Sequence, residues 1–169
     1  MATALRVQTV RYGRDAPSLL RMLRSVTAAA ARLGDGTAGL ALTVAIGDCG
    51  GPEGPDALLG EELLTEAREI LARAGISLDS VVCGTNTGHG AGQNLLAKRA
   101  AGSPGAGGER DVLVLLNPDT YLSPSCLATL VGVLDDDTVG IAEARQIPLE
   151  HPGLLTFVGR HKVFEIVEP

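Results

Sequence analysis

Hydrophobic positions are grouped in two ways along this chain. Short, almost continuously apolar runs, such as residues 40–46 (LALTVAI) and 111–116 (DVLVLL), are typical of strands buried on both faces of a parallel sheet. Between such runs, apolar residues recur at a helical spacing, as at Leu19, Leu23 and Val26. The pattern therefore predicts strands and helices in alternation.

Five strands and four helices are expected. The strands are residues 5–12, 40–46, 80–83, 111–116 and 139–142, and the helices are residues 15–33, 55–74, a stretch within 86–101, and 123–134. This βαβαβαβαβ order indicates an α/β protein with an open, mostly parallel sheet and helices on both faces.

Length limits the number of domains. The chain has 169 residues, which suits a single domain. We predict that residues 1–150 form this domain and that residues 151–169, where the pattern thins out, are an irregular C-terminal tail.

Composition excludes several classes of partner. The net charge is −6 and only 2% of the residues are aromatic, which disfavours nucleic acid as a partner. The three cysteines show no Cys-x-x-Cys spacing, so a reducing compartment is expected. No apolar run is long enough for a transmembrane segment, and we expect a cytoplasmic protein.

Polar and glycine-rich sequence follows three of the predicted strands. Asp48 follows the second strand, residues 86–94 (NTGHGAGQN) follow the third, and residues 117–120 (NPDT) follow the fourth. Open α/β sheets bind ligands beyond the carboxyl ends of their strands. These three segments are therefore the candidate binding residues.

Each candidate also has a purely structural interpretation. The glycines of 86–94 let a backbone approach an anion at a helix N-terminus, or they form a turn. Asp119 is placed to coordinate Mg²⁺ or Mn²⁺, or to cap the next helix. Asp48 suits a hydrogen bond from a nucleotide, or a position in a turn. Residues 135–137 (DDD) follow a predicted helix end and are expected in a solvated turn.

Three segments share their order and spacing with one known family. They are the N-x-G-x-x-x-G-x-N arrangement of residues 86–94, the strand at 111–116 with Asn117-Pro118-Asp119 after it, and residues 123–148. Together they resemble the nucleotide-sugar-binding half of a family 2 glycosyltransferase, which has a Rossmann-like GT-A fold. The resemblance covers roughly residues 4–152.

The resemblance implies an inverting transfer of sugar from a nucleotide-diphosphate sugar to an unidentified glycan or small-molecule acceptor. It also implies a divalent metal, Mg²⁺ or Mn²⁺. By the resemblance, the nucleoside contacts are Arg11, Tyr12, Gly13 and Asp48, the wall beside the ribose and diphosphate is Asn86, Gly88, Gly90 and Asn94, and the metal ligand is Asp119, supported by Asn117.

The chain also departs from that family. Gly13 stands where an Asn is common, and Asp48 stands where a pair of acidic or amide residues usually ends the strand. The tail lacks the features of the family's acceptor half, so a truncated or altered ending is expected. Glu143, Glu150 and Glu165 are carboxylates in this part of the chain, but no motif identifies any of them as the catalytic base.

Two other functions remain open at this point. One is a catalytically inactive nucleotide-sugar-binding module or a truncated remnant of an enzyme. The other is a dinucleotide-dependent enzyme, which is disfavoured because the GxGxG spacing follows the third strand rather than the first. We also expect self-association, as a homo-oligomer, through an uncovered sheet edge near Ala142.

Overall fold

The structure is a computed structural model, and it describes residues 4–13, 16–33, 40–50, 59–101 and 111–145. Within these ranges the chain forms strands and helices in strict alternation. They are β1 (Ala4–Arg11), α1 (Ala16–Ala30), β2 (Ala41–Asp48), α2 (Glu61–Ala72), β3 (Ser77–Val82), α3 (His89–Ala101), β4 (Val112–Leu116) and α4 (Cys126–Val133).

The strands form one parallel sheet. Its four strands have the order β3-β2-β1-β4, and every neighbouring pair is parallel. The prediction of an open α/β sheet with helices on both faces is therefore confirmed. None of the described helices is long and apolar enough to cross a membrane.

The predicted strand at residues 139–142 is wrong. The described chain after α4 continues as turns and coil, and Ile141 is 85% exposed. A tight turn lies directly before this segment, because the Asp136 carboxylate accepts hydrogen bonds from both the backbone N–H and the hydroxyl of Thr138. The apolar pattern predicted a strand, but a strand also needs a neighbouring strand whose backbone groups form hydrogen bonds with its own.

Smaller differences concern the ends of elements. The third strand begins at Ser77, earlier than predicted, and α2 begins at Glu61. The predicted helix starts at Asp15 and at Pro55-Asp56 lie outside the described residues.

The larger core lies between the sheet and α1, α2 and α4. Alternate residues of a strand point to the same face, and Val7, Val44 and Val114 occupy equivalent positions on this face of three strands. The helices cover them with an apolar cluster of Leu19, Met22, Leu23, Val26, Leu71, Leu127 and Val131. Full burial of such a side chain is worth about 1.5–3 kcal/mol, so this cluster is a major source of stability.

The opposite face carries α3. Leu96 of α3 packs in a second cluster with Val10, Ala45 and Cys49. Polar contacts hold the end of this helix, because Asp79 of β3 pairs with Arg6 of β1 at 2.8 Å and with Arg99 of α3 at 3.2 Å.

The strand order explains why α3 lies apart from the other helices. The chain steps outward from β1 to β2 and β3, and then crosses back to place β4 on the other side of β1. Parallel connections are right-handed, so a crossover in the reverse direction carries its helix over the opposite face. This reversal of direction between β1 and β4 is the topological switch point of the sheet.

Among the described residues, part of the sheet face that carries α3 is exposed. Leu113 and Leu115 of β4 share this face with Arg6 and Gln8, their register partners on β1. Their exposed fractions are 47% and 55%. The apolar run at 111–116 predicts burial on both sides, but the described chain covers mainly the side that faces α1 and α4.

Candidate functional site

The predicted site residues converge on one edge of the sheet. Because all four strands are parallel, their carboxyl ends meet at this edge, where Arg11, Asp48, Val82 and Leu116 are the last strand residues. The loops that follow β1 and β4 leave the sheet side by side at the switch point. Ligands of open α/β sheets bind in the crevice at such a point.

The first loop begins with Tyr12 and Gly13. Tyr12 is 53% exposed, and Gly13 has a φ of +90°, a conformation that side-chain-bearing residues rarely adopt. A glycine is therefore required where the chain turns away from β1.

Arg11 and Asp48 form a buried ion pair between β1 and β2. Arg11 Nη1 lies 3.0 Å from Asp48 Oδ1, and their side chains are only 5% and 7% exposed. The same Oδ1 accepts the N–H of Gly50 at 3.1 Å, and Oδ2 accepts the N–H of Leu59 at 2.6 Å. Asp48 thus organises the start and the end of the long loop after β2.

These contacts involve Arg11 and Asp48, two residues that were predicted to contact the nucleoside. For Asp48, they match the alternative in which the residue belongs to a turn, and both carboxylate oxygens already have partners within the protein. Sequence reasoning missed the pairing with Arg11, which lies near the end of the first predicted strand, whereas Asp48 follows the second. Nucleoside contact by either residue stays a prediction.

The glycine-rich loop connects β3 to α3 in a tight shape. Gly84 and Gly88 have φ values of +78° and +80°. Between them, the Asn86 side-chain oxygen accepts the Gly88 N–H at 3.0 Å, which is the local bond of an Asx turn. Asn86 and Gly88 therefore shape the loop itself, and the side chain of Asn86 is exposed.

The loop leads into α3 at the site. His89, Gly90 and Ala91 form the exposed first turn of the helix, and the first intrahelical bond runs from the N–H of Gly92 to the carbonyl oxygen of Gly88. The N–H groups of such a first turn have no partner within the helix and favour an anion. Asn94, the last predicted residue of this motif, is exposed one turn further along α3.

Close packing places this helix end over the centre of the sheet. A Cβ atom added at Gly92 would lie 2.8 Å from Val10 Cγ1 and 3.4 Å from Cys49 Sγ, whereas one added at Gly90 would meet nothing within 4 Å. The N-terminus of α3 therefore lies above the end of β1. Gly92 has a packing role, and Gly90 faces open space.

The loop after β4 contributes the predicted metal ligand. Asn117 and Asp119 are exposed, and a turn closed by the Thr120 N–H and the Asn117 carbonyl oxygen at 3.1 Å presents the carboxylate of Asp119 beyond the sheet edge. Asp119 thus belongs to the same edge of the sheet as the ion pair and the glycine loop.

The described residues offer few clustered donors for a metal ion. Among the described residues, no group of three or more His, Cys, Asp or Glu side chains is placed to hold a metal ion. Residues 135–137 lie in an exposed turn at the far end of α4. Mg²⁺ often binds through one or two carboxylates together with substrate phosphates, and Asp119 fits that arrangement.

Two cysteines at this edge were not predicted as site residues. Cys49 follows β2 and Cys83 follows β3, and Cys49 Sγ lies 3.7 Å from Thr87 Oγ1 in the glycine loop. Burial, and then a hydrogen bond that the Cys83 thiol donates to the neighbouring Cys49 sulfur, raise the pKa of Cys83 to about 12. Each cysteine comes directly after a strand, a signal that sequence reasoning could have used.

No described residue is identified as a catalytic base. Glu143 is exposed in the coil after α4, while Glu150 and Glu165 lie outside the described residues.

Comparison with known proteins adds no identification. Protein-family models, curated proteins and solved structures all yield no match to this chain. The resemblance to family 2 glycosyltransferases therefore depends on the motifs of the chain itself and stays a prediction. Over the described residues, the structure establishes an α/β fold with an all-parallel, four-stranded sheet.

Proposed function

We propose that the chain binds the diphosphate of a nucleotide sugar, together with Mg²⁺ or Mn²⁺, at the carboxyl edge of its sheet. The activity that best suits such a site is that of the donor-binding part of a family 2 glycosyltransferase. In this role the chain serves an inverting sugar transfer to an acceptor.

One observation carries the proposal. Close packing between Gly92 and Val10 holds the N-terminus of α3 over the end of β1. Strand β4 pairs with β1 on the side away from β2, and the chain after β4 leads to Asp119. An anion-favouring helix end and an exposed carboxylate thus flank the switch point. A diphosphate with a bound cation presents the matching charges, because its oxygens suit N–H donors and its cation suits Asp119.

Different residues have different tasks in this proposal. The N–H groups of residues 89–91 hold phosphate oxygens, and the Gly88 turn brings the backbone close to them. Asp119 holds the cation, with Asn117 beside it. When bound, the cation neutralises negative charge on the departing nucleoside diphosphate. A sugar-binding module without turnover would use the same residues, and only a transfer assay separates the two.

Calorimetry tests the binding step. UDP, GDP, CDP and dTDP are titrated into the protein with and without Mn²⁺, using wild type, Asp119→Ala and Asp135→Ala. We expect one nucleotide to bind in a Mn²⁺-dependent manner, at least about tenfold more weakly to Asp119→Ala, which corresponds to about 1.4 kcal/mol. Asp135→Ala removes an equal charge from the far end of α4 and should bind as wild type does.

Two results would contradict the proposal. The first is that no nucleoside diphosphate binds in the presence of Mn²⁺. The second is equal Mn²⁺-dependent affinity of wild type and Asp119→Ala. Metal-independent binding of NADH in place of a diphosphate would favour the dinucleotide-dependent enzyme instead. If binding is established, release of sugar to an added acceptor then distinguishes a transferase from an inactive module.

A further inference from the structure

Cys49 and Cys83 stand side by side on neighbouring strands. They come one residue after Asp48 and Val82, which are register partners in the parallel pair of β2 and β3. The N–H of Cys83 donates to the carbonyl oxygen of Asp48 at 2.8 Å, so the pairing continues past the last strand residues. The two cysteines are therefore adjacent across the sheet.

Their side chains also point to the same face. Both belong to the small cluster beneath α3, where Cys49 is buried and Cys83 is partly exposed. A hydrogen bond that the Cys83 thiol donates to the Cys49 sulfur is one cause, after burial, of the high pKa of Cys83. The two side chains are thus neighbours in one cluster, and both thiols are free.

This arrangement satisfies the main geometric requirement of a disulfide. Neighbouring strands lie about 4.7–4.9 Å apart. Disulfides join residues whose Cα atoms are about 4.4–6.8 Å apart. A bond between Cys49 and Cys83 therefore requires side-chain rotation and no large backbone movement.

We propose that Cys49 and Cys83 form a redox pair, which a small-molecule disulfide such as glutathione disulfide converts to an intramolecular disulfide. The partly exposed Cys83 sulfur, as thiolate, attacks one sulfur of glutathione disulfide and releases one glutathione. The Cys49 sulfur then attacks the Cys83 sulfur of this mixed disulfide and releases the second glutathione. Two protein thiols are oxidised, one glutathione disulfide is reduced, and each departing glutathione sulfur takes up one proton.

Closure of the pair alters the adjacent glycine loop. The Cys49 sulfur that lies 3.7 Å from the Thr87 hydroxyl becomes bonded to Cys83. The new bond ties the ends of β2 and β3 at the point where that loop begins. Because the thiolate is the reacting form and the pKa of Cys83 is about 12, closure at neutral pH is slow.

Peptide mapping tests the inference directly. The folded protein is incubated with glutathione disulfide, the exchange is stopped with acid, remaining thiols are blocked with N-ethylmaleimide in denaturant, and the protein is digested with trypsin. Cleavage after Lys and Arg places Cys49 in residues 33–68, Cys83 in 74–98 and Cys126 in 111–145. We expect a cross-linked pair of the first two peptides, a monomer lighter by two hydrogen atoms, and reversal by dithiothreitol.

Two variants serve as controls. Cys126→Ser removes the thiol on α4, on the other side of the sheet, and should leave the cross-link unchanged. Cys49→Ser should leave glutathione attached to Cys83, because no second sulfur is there to displace it. Circular dichroism before and after oxidation checks that each protein stays folded.

Other patterns of modification overturn the proposal. They are persistent glutathione on Cys83 of the wild type, a disulfide that involves Cys126 or joins two chains, and no reaction of Cys83 after prolonged exposure. The wild-type map alone decides among these outcomes, so the inference remains testable even if Cys49→Ser fails to fold. It does not depend on nucleotide binding.

Discussion

Gly92 of α3 and Val10 of β1 approach so closely that a Cβ atom on the glycine would lie 2.8 Å from Val10 Cγ1. The missing side chain lets the helix reach the sheet above the end of its central strand. At Gly90, two residues earlier, the same atom would meet nothing within 4 Å. The two glycines belong to one motif but differ in role. Gly92 allows α3 to pack closely against Val10, whereas Gly90 faces open space.

Replacing Gly92 by Ala should destabilise the protein. The added methyl group forces α3 or Val10 to move, and such overpacking costs about 1–3 kcal/mol. Gly90→Ala is the matched control, because it should be neutral or up to about 1 kcal/mol more stable through its higher helix propensity. Urea unfolding of both variants gives the comparison. Equal stability of the two variants would contradict the packing role of Gly92.

A substitution at Gly88 tests the backbone of the loop. Gly88 has a φ of +80°, so Gly88→Ala should cost about 1–2 kcal/mol through strain alone. Gly88→Asn should cost less, because Asn tolerates this conformation better than Ala does. Thermal unfolding ranks the stabilities of the wild type, Gly88→Ala and Gly88→Asn. If Ala and Asn are equally tolerated, the positive φ is not what requires glycine here.

The ion pair of Arg11 and Asp48 should be important for stability. Either Arg11→Met or Asp48→Asn leaves a buried polar partner uncompensated, which typically costs about 3–5 kcal/mol. The exposed pair of Arg24 and Glu66 has a similar separation of 2.9 Å, but Arg24→Met should cost about 0–1 kcal/mol. Unfolding in urea at pH 7 compares the variants, and the double variant Arg11→Met/Asp48→Asn measures the coupling. Equal losses at the two pairs would refute the structural importance of the buried one.

Alkylation of Cys83 should depend strongly on pH. Burial, the Cys49 thiol and the charge of Asp48 raise its pKa from an ordinary value of 9.0 to about 12. Below both values, the reactive thiolate is about a thousandfold rarer than in a peptide, and its fraction grows about tenfold for each unit of rising pH. Iodoacetamide labelling between pH 7 and 10, followed by mass spectrometry, measures the rate. A rate that levels off near pH 9 would contradict the shift.

The spacing of apolar residues along the sequence was sufficient to predict most of the strands and helices. The run at β2 is apolar because helices cover this strand on both faces, and the helices between the strands keep an apolar stripe. Periodicity failed at residues 139–142, because a strand needs a pairing partner that lies far away in the sequence. It also could not show that Leu113 and Leu115 are exposed, since burial depends on which helix lies above each strand.

The candidate site was only partly predictable for a related reason. Asp48, Asp119 and the glycine loop were located correctly at strand ends, since that depends on local sequence. The contacts of Asp48 with Arg11 and Leu59 join distant segments, and no local pattern reports them. The different roles of Gly90 and Gly92 likewise depend on Val10, which comes from another part of the chain.

The place of β4 beside β1 also has a consequence for the order of folding. Paired residues such as Leu5 and Val112 are more than 100 positions apart in the sequence, whereas β1 and β2 are linked by the single helix α1. Contacts of such long range form slowly, because a large loop must close before they stabilise anything. During synthesis, β1, β2 and β3 can therefore assemble under α1 and α2 before β4 leaves the ribosome. The crevice between β1 and β4 is then the last part of the sheet edge to take shape.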